Sequence, residues 1–317
     1  MSKYGVEVHL DPENAANLYG EQANLPGEAD LGPGGGVYAS TNGGASWTLN
    51  PVDASQGQFD VIYGFAAVSS KTSSPAAPAI SANGVVNGAS FQPGVAANSW
   101  VTIQGTNLAA QTDDWSHSII NGALPTSLDG VSVTMGGKPA YIYFISPGQL
   151  NVLAPDVPAG PITVTVTTSG GTSATFATTA NAYGPAFFVW PGNQVVATRT
   201  DYSYAVKAGT FAGATTVAAK PGDVLILWAT GFGPTIPAVP LGVPVPASGG
   251  YPTASAPTVT VNNTPAIVYG AALAPGSAGL YQIAIQVPPS LADGDWPIQA
   301  SIGGVLSPAG TILTVHQ

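Results

Sequence analysis

The sequence contains no cysteine, and only six of its 317 residues are lysine or arginine. Without cysteine the chain has no disulfide bond, no thiol nucleophile and no thiolate metal ligand. Arg199 is the sole arginine, and the formal net charge is −10. Binding to nucleic acid or to an anionic membrane surface needs a cluster of basic side chains, so we expect neither.

Long apolar runs are also absent. No stretch approaches the roughly 20 apolar residues of a membrane span, and the opening "MSKYGVEVHL" has no apolar signal core. We therefore expect any export signal to lie outside this chain. The chain is instead rich in glycine (40) and proline (29), which separate short runs of alternating apolar residues. This pattern predicts an all-β protein of many short strands, and the low charge favours an extracellular or cell-surface location.

Three blocks of sequence occur twice in the same order. The pairs are "VTMGGKPA" with "VTVNNTPA", "SWVTIQGTNL" with "GDVLILWATGFG", and "GQLNVLAPDVPAGPITVTV" with "GLYQIAIQVPPSLADGDWPIQASI". An offset of about 125 residues between the copies predicts a tandem duplication. A Ser-, Pro- and Ala-rich stretch precedes the first copy and predicts a linker. We expect a first segment at 1–68, a linker at 69–80, and domains at 81–190 and 191–317.

Each copy is predicted to fold as an immunoglobulin-like (Ig-like) β-sandwich. Residues 162–167 read Ile-Thr-Val-Thr-Val-Thr, which suits a strand with one buried face and one wet face. Two sheets of this kind packed face to face form a sandwich. The long blocks over 81–317 resemble an uncharacterised C-terminal domain family of secreted soil-bacterial proteins, whose repeats are similar to IPT/TIG domains. The resemblance implies a pair of Ig-like domains behind a variable N-terminal region and brings no catalytic residues.

The first segment contains "ASTNGGASW", which is similar to the Asp-box (BNR repeat) turn of sialidase-type and sortilin-type β-propellers. The five defining positions are occupied by Ser40, Asn42, Gly44, Ser46 and Trp47. The resemblance implies one propeller-blade-like segment with a structural turn, not a catalytic site. A helix beginning at Asp11-Pro12 is the alternative. A lone blade buries one face poorly, so we expect it to need a partner and consider homo-oligomerisation through residues 1–68.

Candidate catalytic groups are sparse. A sialidase-like site needs several arginines, which the chain lacks. Asp113-Asp114 and the pair Asp293/Asp295 are acidic neighbours in predicted turns, and we expect them to be solvated or to cap amides. The second pair leaves Ca²⁺ binding open as an alternative, although Ca²⁺ needs six to eight oxygens. The histidines, at positions 9, 117 and 316, share no metal-binding spacing.

Aromatic side chains are the remaining candidates for ligand contacts, because flat rings stack on the C–H faces of sugars. Trp115 and Tyr251 are the predicted ligand-surface residues. In "YGPAFFVW", Phe187, Phe188 and Trp190 are expected to pack a core between the two domains.

These observations predict a non-enzymatic extracellular structural, adhesion or assembly module. The alternative is a carbohydrate-binding accessory module of a secreted enzyme, and a third candidate is a hydrolase with an unrecognised site. The expected partners are a surface glycan, another protein or a second copy of the chain.

Overall fold

The computed structural model describes residues 6–10, 18–22, 36–40, 46, 48–51 and 75–317. The chain divides into two compact units, residues 1–73 and residues 74–317, and each is described by itself. Among the described residues, no helix has the length and apolar character that crossing a membrane requires. The only described helices are two short 3₁₀ turns, Trp115–His117 and Pro191–Asn193.

The first unit contains a four-stranded antiparallel sheet. Its strands are β1 (Val6–Leu10), β2 (Leu18–Gln22), β3 (Gly36–Ser40) and β4 (Thr48–Pro51), in the order β1-β2-β3-β4. Ser40 ends β3, and Ser46 lies in an exposed bend before β4. Asn42, Gly44 and Trp47 lie outside the described residues, so the Asp-box and blade interpretations remain predictions.

Residues 75–317 form two tandem Ig-like β-sandwiches, which confirms the predicted fold class. The first sandwich comprises β5 (Ala79–Asn87), β6 (Val95–Ala96), β7 (Trp100–Thr106), β8 (Asp113–Asp114), β9 (Ser127–Leu128), β10 (Val131–Met135), β11 (Lys138–Pro139), β12 (Tyr141–Ile145), β13 (Gln149–Leu153), β14 (Gly160–Thr168), β15 (Gly171–Thr172) and β16 (Phe176–Asn181). One sheet has the order β11-β10-β14-β16-β6, with β9 and β15 beside it, and the other has the order β5-β7-β13-β12-β8.

The core of the first sandwich follows the predicted alternation. In β14, Ile162, Val164 and Val166 are buried while the threonines between them point outward. These side chains pack against residues such as Ile103 and Leu150 from the opposite sheet. Period-two burial on both sheets therefore produces a single apolar layer between them.

The second sandwich comprises β17 (Ala186–Phe187), β18 (Val189–Trp190), β19 (Gln194–Val195), β20 (Ala197–Thr198), β21 (Val224–Thr230), β22 (Thr258–Val261), β23 (Thr264–Leu273), β24 (Tyr281–Gln286), β25 (Gly294–Ile302), β26 (Val305–Leu306) and β27 (Ile312–Val315). Its strands are joined in the order β17-β21-β24-β23-β22-β25-β27-β19-β18. The long strand β23 pairs with β22 at its start and with β24 at its end, and its register shifts between Val268 and Gly270. The bulge lets this strand belong to both faces of the sandwich.

Both predicted repeat hairpins are present. The turn between β10 and β11 uses Gly136 and Gly137 at φ values of 55° and 79°. The equivalent turn between β22 and β23 uses Asn262 and Asn263 at φ values of 50° and 57°. Glycine and asparagine are the residues that tolerate a positive φ most readily, so Gly-Gly in one copy and Asn-Asn in the other form the same turn.

Candidate functional site

A pocket of about 380 Å³ lies where the outer faces of the two sandwiches meet. Its volume is within the range of ordinary ligand pockets. The first sandwich contributes Gly88, Trp100, Val101, Thr102, Tyr143 and Asn151, and the second contributes Phe188, Val196, Trp228 and Leu280. The lining therefore combines four aromatic rings with two polar side chains and carries no carboxylate, imidazole, ammonium or guanidinium group.

Strand periodicity explains why these side chains point outward. In β21, Leu225 and Leu227 are buried in the sandwich core, so Trp228 has the opposite orientation. In β7 and β13, Thr102 lies directly opposite Asn151 in the antiparallel register. Residues paired across neighbouring strands point to the same side of the sheet. The outer face of each sheet thus supplies one wall of the pocket.

Three aromatic rings form a cluster on the first-domain wall. Tyr143 contacts Trp100 at a centroid distance of 5.5 Å and Trp115 at 4.8 Å, while the two tryptophans lie 5.6 Å apart. All three contacts are edge-to-face, the geometry that aromatic quadrupoles favour. Tyr143 remains 40% exposed. The cluster presents a rigid aromatic surface that is still open to a ligand.

The side-chain amide of Asn151 supplies a polar atom to the pocket. Its Oδ1 accepts hydrogen bonds from Thr102 Oγ1 and from Gln149 Nε2, each at 3.0 Å. Its Nδ2 has no hydrogen-bond acceptor among residues 75–317 and the other described positions. The two bonds fix the amide plane and leave the donor end available to a hydroxyl group.

On the opposite wall, the indole of Trp228 is held in place. Its Nε1 donates to Thr198 Oγ1 at 3.0 Å, and its backbone N–H donates to the carbonyl of Val196. Because the only polar atom of the indole is satisfied, its remaining surface is apolar. Trp228 can therefore offer a ring face to a ligand without leaving a donor unpaired.

The contact between the two sandwiches is close and depends on glycine. The Trp100 backbone N–H donates to Thr230 Oγ1 at 3.0 Å, and this hydroxyl donates to the carbonyl of Gly279 at 2.8 Å. A Cβ on Gly279 would lie 2.2 Å from Leu153 Cδ1. A Cβ on Gly242 would lie 2.0 Å from Tyr141 Cε1. Leu124, Leu153 and Ala278 form a small core at this contact, so the spacing of the pocket walls is set by packing.

The predicted ligand-surface residues lie in different places. Trp115 is half-buried and contacts two lining residues, Trp100 and Tyr143, although it does not itself line the pocket. Tyr251 is partly buried against the core of the second sandwich. The structure does not bring the two together, and a ligand-binding role for either remains a prediction.

Asp114 caps the turn that carries Trp115. Its Oδ1 accepts from the Ser116 backbone N–H at 2.8 Å. Hydrogen bonds from Ser116 lower the pKa of Asp114, so the cap stays ionised in ordinary buffers. Asp113 likewise accepts from the Asp114 backbone N–H at 2.7 Å. Both carboxylates thus accept from nearby backbone amides, but the pair lies in the short strand β8 and not in the predicted turn.

The second acidic pair is also occupied by local partners. Asp293 contacts His316 and accepts from the Gln317 backbone N–H, and these bonds, led by that of Gln317, lower its pKa. Asp295 instead accepts from Thr314 Oγ1 and lies 3.7 Å from Lys207 Nζ. Among the described residues, no three acidic or histidine side chains are grouped as metal ligands. Calcium binding at this pair remains a prediction.

The aromatic stretch before the second domain is not a single interdomain core. Phe187 is buried in the core of the second sandwich, Phe188 lines the pocket, and Trp190 packs against Tyr204 and Phe211. The expectation of one shared core is therefore wrong for Phe187 and Trp190. Phe187 and Phe188 are adjacent in the chain and point to opposite faces, so the two cannot enter one core.

A domain-family model, the IPT/TIG domain, matches residues 89–182. The match lies within the first sandwich and confirms the IPT/TIG resemblance there. The resemblance to a soil-bacterial C-terminal family remains a prediction. No protein with a curated description matches the sequence.

Several solved structures are similar at low sequence identity. A surface glycan-binding protein of Prevotella bryantii is 11% identical, with 74% of this chain and 41% of that chain covered and a TM-score of 0.22. A Bacteroides ovatus protein of a mixed-linkage glucan utilization locus, solved with a heptasaccharide, is 10% identical, with 98% and 60% covered and a TM-score of 0.31. Domains 5–6 of the S-layer protein SbsC are 14% identical, with 75% and 98% covered and a TM-score of 0.27. The chain thus spans 41% and 60% of the first two structures.

Proposed function

We propose that this chain is a non-catalytic carbohydrate-binding module that acts outside the cell or at its surface. The observation that carries the proposal is the uncharged aromatic pocket between the two sandwiches. Sugars present apolar C–H faces and a rim of hydroxyl groups. A site for them needs flat rings and a few fixed hydrogen-bonding groups, which is the combination that the lining provides.

The polar groups of the pocket fit hydroxyl groups better than charged ligands. Asn151 Nδ2 is a free donor whose orientation is fixed by Thr102 and Gln149. A buried carboxylate or phosphate would need a cationic partner, and the lining contains none. The ligand is therefore a neutral sugar.

The same lining supports binding without turnover. Glycosidases place two carboxyl groups on either side of the scissile bond, and none lines this pocket. The acids at positions 113, 114, 293 and 295 bind their own turns or strands. The pocket thus favours the carbohydrate-binding alternative over a purely structural or assembly role.

The test is a binding screen with a matched pair of tyrosine variants. Purified protein is titrated with soluble neutral polysaccharides, and Tyr143→Ala is compared with Tyr202→Ala. Tyr143 is 40% exposed in the pocket, whereas Tyr202 is 64% exposed and does not line it. Loss of one stacked ring is expected to weaken binding by about tenfold, and Tyr202→Ala should bind like the parent. Equal affinity of the two variants, or no binding to any neutral glycan, would contradict the proposal.

A further inference from the structure

We infer that the glycan site does not end at the pocket but continues over the outer face of the second sandwich, so that its occupant is a linear neutral polysaccharide chain. This inference rests on the proposed function. It adds a second binding surface, formed by the outward side chains of β21, β24 and β23, which we call the outer platform.

Strand register defines the outer platform. Paired residues point to the same side, and three rows run outward from the pocket: Trp228 with Gln282 and Ala272, Ile226 with Ala284 and Gly270, and Val224 with Gln286 and Ile267. Tyr269, at the bulge, joins the third row through a bond from its hydroxyl to Gln286 Oε1 at 3.2 Å. The first row begins at Trp228, which lines the pocket, so pocket and platform are continuous.

The platform is long enough for a chain of sugars. Trp228 and Val224 are four residues apart on one strand, which corresponds to about 13 Å at the ordinary rise per residue. Two strand spacings separate β21 from β23, which adds about 10 Å of width. A ligand that fills the pocket with one end therefore has a surface on which its next units can lie.

The chemistry of the platform is unusual for a solvent-facing sheet. The strands β21, β23 and β24 contain no charged residue, yet Ile267 is 57% exposed and Tyr269 is 59% exposed. Large exposed apolar patches mark binding surfaces in soluble proteins. Asp223, which directly precedes β21, is paired with Arg199 at 3.1 Å. The absence of net charge matches a neutral partner.

Polar groups on the platform suit a glycan better than a protein strand. Gln282 lies beside Trp228 in the first row, and its side-chain amide has no hydrogen-bond partner among the described residues. Gln286 is fixed by Tyr269 and by the carbonyl of Gly222. The side-chain amides of Gln282 and Gln286 can donate and accept hydrogen bonds, and the apolar side chains beside them can contact sugar C–H groups. The platform therefore offers both kinds of contact that a polysaccharide makes. β24, the middle strand of the platform, is paired on both sides, with β21 and with β23, so the centre of the platform is a sheet face and has no free edge for another strand.

The experiment compares short and long ligands on the same variants. Matched disaccharide and hexasaccharide fragments of β-glucan, xylan and mannan are titrated against the parent protein, Tyr269→Ala, Gln282→Ala, Tyr143→Ala and the control Tyr202→Ala. The hexasaccharide that binds is expected to exceed its disaccharide by about tenfold in affinity. Tyr269→Ala and Gln282→Ala are each expected to lower hexasaccharide affinity about three- to tenfold and to leave disaccharide affinity unchanged.

Each outcome decides between the two proposals. If disaccharide and hexasaccharide bind equally and only Tyr143→Ala weakens binding, the platform is wrong and the pocket stands. If no fragment binds, the proposed function fails and the platform fails with it. Self-association of the parent that is lost in Tyr269→Ala and unaffected by sugars would make the platform a protein contact, and would overturn the inference. Thermal unfolding of each variant confirms that the change lies in binding and not in folding.

Discussion

Replacement of Gly279 by alanine tests whether the contact between the two sandwiches sets the pocket. Gly279 has a φ of +64°, and its added Cβ would lie 2.2 Å from Leu153 Cδ1 and 3.0 Å from the carbonyl oxygen of Asn98. Leu153 is fully buried, so its methyl group has little room to move. The substitution must therefore strain the backbone and also force the domains to shift.

The expected cost has two parts. An alanine in the left-handed region costs about 1–2 kcal/mol, and the overpacked contact adds about 1–3 kcal/mol. The sum, about 2–5 kcal/mol, should lower the melting temperature by about 4–20 °C in a unit of this size. Gly276 isolates the first part, because its φ is +72° and its Cβ would have no neighbour within 4 Å. Gly276→Ala should therefore cost only about 1–2 kcal/mol.

The assay is differential scanning calorimetry on both variants, followed by titration with the neutral glycan that binds the parent. Gly279→Ala should be clearly less stable than Gly276→Ala and should bind more weakly, because Trp100 and Trp228 line the pocket from the two domains that the added Cβ would displace. Equal melting temperatures of the two variants would refute the packing argument. A destabilised Gly279→Ala with undiminished affinity would show that pocket spacing does not govern binding.

Three further predictions concern pH, the sole arginine and the first segment. Glycan affinity should be constant from about pH 5 to about pH 8 because no carboxylate, imidazole or amine lines the pocket. Affinity should fall only in stronger acid, where Asp114, whose pKa is lowered, becomes protonated and no longer caps the Trp115 turn. A change of affinity near pH 6.5, the ordinary pKa of histidine, would contradict this prediction. Arg199→Gln should lower the free energy of unfolding by about 1–3 kcal/mol, because the guanidinium donates to Asp223 and to the carbonyls of Tyr204 and Ala218. The control Lys207→Gln removes only the exposed ion pair with Asp295 and should cost about 0.5 kcal/mol or less. Equal melting temperatures of the two variants would count against a stabilising role of Arg199. Deletion of residues 1–68 should lower the number of chains per particle if that segment mediates self-association, and an unchanged number of chains by light scattering would remove the oligomerisation hypothesis.

Much of the fold could be predicted from local patterns. The alternation of Ile162, Val164 and Val166 indicated a half-buried strand, and the structure places all three in one core. The repeated hairpins could be found although Gly-Gly in one copy is Asn-Asn in the other. Both signals are local, because a strand's period and a turn's φ depend on residues close in sequence.

The candidate site could not be predicted in the same way. Periodicity shows that Trp228 and Thr102 point away from their cores, but it does not show that these two outer faces meet. That contact depends on Gly242 and Gly279, whose lack of a side chain matters only beside Tyr141 and Leu153 in the other domain. A signal was nevertheless present: the strands that carry the site contain no charged residue, which is unusual for a face exposed to water.

Trp115 shows which part of the candidate site the local sequence could predict and which part it could not. An isolated tryptophan in a polar loop suggested a ligand surface, and the structure places it against Trp100 and Tyr143 at the wall of the pocket. The residues that would touch a ligand are its neighbours. The local sequence could not show that Trp100 and Tyr143, and not Trp115, line the pocket.

A structure of the protein bound to a neutral oligosaccharide is the sharpest check on the proposed glycan site. We expect one sugar unit between Trp100 and Trp228, with a hydroxyl oxygen accepting from Asn151 Nδ2 and with further units leading toward Gln282 and Tyr269. A sugar bound at another surface, with the pocket between the sandwiches unchanged, would contradict it.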